Sequence, residues 1–196
     1  MLYEAGGRVV PQQMLRDMDV SLQRADDGRR LDVVAYGLRL FGGVPVCGDA
    51  TMVSPLHCDG SVRRGAATTN GLCLRAARRR KEVVYPEFVG GDQGRLILLG
   101  CEVGGRWALE ALTLLRSLAR ARCQRAPALL RQSASYAWHR RWLCLVSVAA
   151  QSALAASIAE PTALLTAAAP VEEPSLVEVL GSCRMPPAES RLPLRG

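Results

Sequence analysis

Three short runs in the first half of the chain carry strand-like patterns: LDVVAY (31–36), VPVCGDATMV (44–53) and RLILLGC (95–101). The third is almost purely apolar, as a strand buried on both faces would be. The first two are joined by the short Gly-rich link GLRLFGG, and so are predicted to pair as an antiparallel hairpin centred near Leu40–Phe41. Pro45 suits the start of a strand or an exposed edge. Between the second and third strands, residues 54–71 form a polar loop. Asn70-Gly71 can then cap a helix over 72–85, which Pro86 ends. A strand–helix–strand order implies a right-handed crossover, with the third strand parallel to the second.

Helical spacing governs the rest. RWALEALTLLRSLARARCQ (106–124) places Trp107, Ala111, Leu114, Leu115 and Leu118 on one stripe. Pro127 opens a longer helix in which Leu130, Ala134, Trp138, Trp142, Leu145 and Ala149 recur, and Pro161 interrupts it. Trp138, Trp142 and Leu145 are expected to bury against the preceding helix. Ahead of the first strand, residues 1–10 form a ragged start and 11–23 a short helix with Met14, Leu15, Met18 and Leu22 on one face. Beyond Pro170 only SLVEVL has helical character. The expected architecture is α/β: a small mixed sheet, an antiparallel hairpin plus a parallel crossover strand, with flanking helices and a C-terminal helical extension. Its expected divisions are an N-terminal segment (1–30), a core (31–122), a helical extension packed on it (123–169) and a loose tail (170–196).

Composition changes this picture only a little. The 196 residues are 49% apolar and 22% charged, as in globular proteins, and the net charge of +7 suits contact with nucleic acid or anionic lipid. The seven cysteines form no CxxC pair, and with two histidines no zinc spacing exists, so a reduced intracellular protein is expected. No secretory signal is expected from MLYEAGGRVV, which lacks an apolar core. Residues 142–159 carry no charge over eighteen positions, the lower limit for a membrane span. Their Ala- and Ser-rich content favours a buried or bundle-forming helix, and no membrane partner is expected.

The placement of charge points to chemistry. Asp32, Asp49 and Glu102 lie inside or at the end of apolar strands, where a carboxylate must be paired, protonated or metal-bound. The predicted hairpin sets Asp32 beside Asp49, and Glu102 closes the third strand at the carboxyl end, where α/β sheets hold ligands. Convergence of two or three of them would suit Mg²⁺ and, without metal, would leave the acids repelling one another. The structural alternative is that Asp32 and Glu102 cap strand ends and pair with Arg30 or Arg106. On the helix over 72–85, Lys81 falls in the middle of the apolar side. It either snorkels outward or reaches back to the carboxylates. Arg75, Arg78 and Arg79 fall on the other side, as a solvated face or as phosphate contacts. Gly104-Gly105 suits a tight strand-to-helix turn, since neither phosphate-loop pattern is present, and no Ser/His/Asp or Cys/His set appears.

RRLDVVAYG, CGDATMVSPL, RRRKEVVYPE, CEVGGRW and SRLPLR together resemble the carboxyl-terminal region of reverse-transcriptase-type retroelement reading frames of the protist type. The resemblance runs from about Gly7 to the end and includes no polymerase palm or YxDD-type motif, which implies a detached tail or a fragment. The order helix, hairpin, helix, strand is also similar to the PD-(D/E)xK restriction-endonuclease-like core. That similarity implies a Mg²⁺-dependent cut in DNA, with Asp32 as the first metal-binding acid and Asp49 as the acid of the (D/E)xK element. Two residues past Asp49 stands Thr51 where the family has lysine, and Lys81 would replace it from a different backbone position. Glu102 completes the expected metal set, with DNA or RNA as partner, bound through Arg75, Arg78 and Arg79, and the nucleus as the site of action. The competing expectation is a non-catalytic nucleic-acid-binding or interaction module.

Overall fold

The computed structural model describes residues 1–20 and 27–165. The end of the predicted helix over 11–23, with Leu22, lies outside them, as do the short helix around SLVEVL and the tail. Met1–Ser157 form one compact unit, and a second begins at Ile158.

Four strands make one mixed sheet in the order β1 (Arg8–Met14), β2 (Arg30–Tyr36), β3 (Val46–Val53) and β4 (Arg95–Glu102). The first three run antiparallel to their neighbours, and β4 lies parallel to β3, as the crossover pattern predicts. β2, β3 and β4 match their predicted spans to within two residues at either end. The connection from β2 to β3 turns through Phe41, Gly42 and Gly43, all at positive φ.

The amino-terminal region differs from expectation. Instead of a helix over 11–23, the chain adds β1 to the outer edge of β2 and then makes one 3₁₀ turn at Leu15–Asp17. The Met/Leu spacing looks helical, but Val9 and Val10 favour extended backbone, and Pro11 is tolerated on an edge strand that asks nothing of its missing N–H. Leu15, Met18 and Val20 are buried all the same, laid across the sheet by the chain as it leaves β1. β1 and the buried Leu15, Met18 and Val20 thus contribute to the sheet and its core.

Helix α1 (Leu72–Val84) covers one face of the sheet, with Leu74 and Ala77 against Leu98. Gly71, at φ +68°, occupies its N-cap position with no side-chain bond, so the expected cap from Asn70 is not made. The other face receives α2 (Leu109–Arg122) through Ala111, Leu114, Leu115 and Leu118. Helix α3 (Arg131–Leu165) runs through Pro161 without the expected interruption. It is anchored by Trp142, which is fully buried, with Trp138 and Val146 partly buried beside it. Leu145, expected inside, is half exposed, because the buried line continues through Val146 instead. Past that point α3 leaves an open apolar groove of about 410 Å³ over the sheet, floored by small residues such as Gly48 and Ala50. Only 6% of the most apolar stretch of α3 is buried, so it is not the buried helix its composition suggests.

Candidate acidic site

Asp49 sits in the middle of β3 between Gly48 and Ala50 and is 4% exposed. A carboxylate so placed needs a cation, and α1 supplies it: Lys81 Nζ lies 2.8 Å from Asp49 Oδ1. The same helical stripe that presses Leu74 and Ala77 onto the sheet carries Lys81 and Tyr85 one and two turns further along. Of the two readings of Lys81, the structure shows the ammonium reaching back to the carboxylate.

Asp32 joins from the neighbouring strand. The β2–β3 ladder ends at Val33–Gly48, and one residue further on Asp32 stands opposite Asp49. Its Oδ2 accepts a 2.7 Å bond from the Ala50 amide, which takes the place of the next ladder bond. Its partner is therefore a backbone N–H rather than Arg30. Next to it, Gly48 leaves room for its partner Val33, since a Cβ there would meet Val33 Cγ1 at 2.7 Å.

Tyr85 closes the site, a residue that the sequence pattern does not single out. Its hydroxyl donates to the Arg30 carbonyl at 2.7 Å. Burial, then the charge of Asp49 and a hydrogen bond with it, then the charge of Asp32, push its phenol up to about 12. The available signal was the tyrosine four residues after Lys81, on the same helical face. Cys47, two residues before Asp49, is pushed up to about 12 by burial alone. In both cases the folded chain keeps a proton that the unfolded chain releases at lower pH. The contribution of these two groups should be level below about pH 9 and fall as pH rises toward 12. Tyr85→Phe should flatten the part of the fall above pH 10, read by thermal melting across that range.

Glu102 does not converge with the other two acids. Asp49 is in register with Leu98, whereas Glu102 is in register with Val53, four residues further along. That is about 13 Å at a strand rise of 3.3 Å per residue. Glu102 is held by Arg106, 3.4 Å away, across the turn that Gly105 makes at φ +86°. This is the strand-end pairing that the structural alternative describes. Among the described residues no group of three acids, histidines or cysteines could hold a metal.

The basic helix divides as well. Arg78 is tied down: its guanidinium bonds the Leu96 carbonyl on the outer edge of β4, Glu110 on α2 at 2.8 Å, and Glu82 at 2.9 Å. It fastens α1 to the sheet and to α2, and is not a phosphate contact in waiting. Arg75 bonds the Asn70 carbonyl, and both it and Arg79 are exposed. A second buried acid, Glu87, is paired with Arg29, which also holds Asp27. Both acids raise the Arg29 pKa further, and the cluster pins the start of β2 to the turn after α1.

The described geometry is thus two adjacent carboxylates, one ammonium and one neutral phenol at the junction of β2, β3 and α1. Mg²⁺ takes oxygen ligands from one or two carboxylates and keeps waters for a substrate phosphate; here Asp49 Oδ1 is paired with Lys81 and Asp32 Oδ2 with the Ala50 amide. Comparison with family models, with curated proteins and with solved structures finds no match to this chain.

Proposed function

We propose that this chain is a small endonuclease-like domain of retroelement origin that hydrolyses DNA phosphodiesters with Mg²⁺ in the nucleus. The observation that carries the reading is the meeting of Lys81 with buried Asp49 beside Asp32. It supports a relation to the PD-(D/E)xK core, because the lysine absent at Thr51 is replaced in space by one from α1. Asp32 and Asp49 would hold the ion, and Glu102 is left out of the set. When bound, the ion supplies a Lewis acid and a water of lowered pKa. Lys81 keeps one oxygen of Asp49 compensated and offers positive charge where the phosphorane oxygens develop theirs. Tyr85, neutral across the working range, holds its proton and excludes water from the inner side of Asp49. Arg75 and Arg79 flank the site as contacts for the DNA backbone.

The second reading is a non-catalytic nucleic-acid-binding or interaction module. One observation favours it: Asp49 is fully compensated by Lys81, and Glu102 stands apart. A plasmid-nicking assay with Mg²⁺ or Mn²⁺ separates the two. The nuclease reading expects nicking by the wild type, loss of at least roughly 100-fold in Asp49→Asn, and a smaller loss in Lys81→Met. A wild type that binds DNA without nicking it would leave the binding module.

A further inference from the structure

The excess charge of this protein has one location. From Ala111 to Ala159 the chain holds seven arginines and no acid. The remainder, with 18 basic and 18 acidic residues, is neutral. The acidic site and its basic helix belong to that neutral remainder.

Some of these arginines are engaged. Arg122 and Arg141 lie over the Trp138 ring at 5.2 and 6.0 Å, and Arg131 bonds the Ala126 carbonyl. Arg116 and Arg120 are exposed on α2 and make no ion pair among the described residues. They open, with Arg131, Ser135, Tyr136 and His139 of α3, onto a pocket of about 510 Å³ whose lining includes no carboxylate. His139 Nε2 is buried there without a hydrogen-bond partner. Burial and the nearby Arg116 and Arg140 hold the imidazole below its ordinary pKa, so it stands as a neutral ring among fixed positive charges. Hydroxyl, amide and guanidinium donors around an uncompensated positive pocket match the oxygens of a phosphate group.

The continuation of α3 beyond the pocket identifies the source of that phosphate. Directly after His139-Arg140-Arg141 comes the charge-free stretch Trp142–Ala159. It is the one stretch of the described residues long and apolar enough to cross a bilayer, and Val148 and Leu145 stand out from it exposed. Basic residues and the exposed Tyr136 ring at one end of a helix whose later apolar positions are exposed are the arrangement of a segment entering the interface of an anionic membrane. A DNA surface would match the arginines and leave the apolar stretch in water.

We propose that the Arg116–Arg120–His139 pocket binds the headgroup phosphate of an anionic lipid and so seats the apolar stretch of α3 in the membrane. This inference is independent of the nuclease reading and reverses the expectation of no membrane partner. The test is flotation of the full chain with phosphatidylcholine vesicles, with and without phosphatidylserine, alongside a duplex-DNA binding arm. The expected result is flotation that requires phosphatidylserine and an apparent affinity roughly 30-fold lower in Arg116→Gln/Arg120→Gln, about 1 kcal/mol per arginine. Both side chains are exposed, and an unchanged melting temperature would confirm that the variant is folded. Three results would each overturn the proposal. One is no flotation with either vesicle; another is equal flotation with both vesicles that the variant does not change. The third is DNA binding that depends on Arg116 and Arg120 without any vesicle binding.

Discussion

Lys81→Met is expected to destabilise the protein by about 3 kcal/mol at pH 7, because it leaves the Asp49 carboxylate buried without its cation. Asp49→Asn should cost less, about 1 kcal/mol, because the Lys81 side chain is 30% exposed and its ammonium can turn to water. The loss in Asp49→Asn runs against an expectation drawn from the sequence, that the clustered acids repel one another without metal. With Lys81 in contact and Glu102 elsewhere, attraction outweighs repulsion at Asp49. Urea denaturation of both variants at pH 7 measures the asymmetry. Equal losses would mean that the ion pair is a solvent-exposed contact of little weight.

Trp142→Ala is expected to have the largest effect of any single truncation, about 4 kcal/mol. The ring is fully buried among Leu114, Leu115, Leu118 and Trp138, and its Nε1–H donates to Glu4 at 2.8 Å. It is also the main anchor of α3, since beyond Val146 the helix borders an open groove rather than a packed surface. Leu145→Ala, three residues along the same helix but half exposed, should change stability by less than about 0.5 kcal/mol. Denaturant midpoints for the two variants check the contrast. Similar losses would mean that α3 packs along the Leu145 face.

Much of the fold was legible because period and punctuation agreed. Apolar runs of strand length lay between Gly, Pro and polar clusters, and these placed β2, β3, β4 and α1. β1 was hidden because Met14, Leu15 and Met18 keep helical spacing while serving an edge strand and the turn after it. The face of α3 was misjudged by one residue, since an Ala-rich helix gives little contrast between its sides and Leu145 is as apolar as Val146. At the site, the meeting of Asp32 with Asp49 comes from the hairpin register, and that of Lys81 from its place on the apolar face of α1. The Glu102 error has a different source. A strand-end carboxylate lies at the right edge of the sheet, but how far along that edge depends on the β3–β4 register, which no local pattern carries. Arg78 was likewise unreadable, because its partners Leu96 and Glu110 come from other elements.

The most direct test of the acidic site is thermal melting with and without Mn²⁺ for the wild type, Asp32→Asn and Asp49→Asn. An ion held between the two carboxylates binds only the folded chain and must raise its melting temperature. The expected result is a Mn²⁺-dependent rise in the wild type that is absent in both variants. A wild type that melts at the same temperature with and without the ion would contradict the metal site and reduce Asp49 and Lys81 to a buried structural pair.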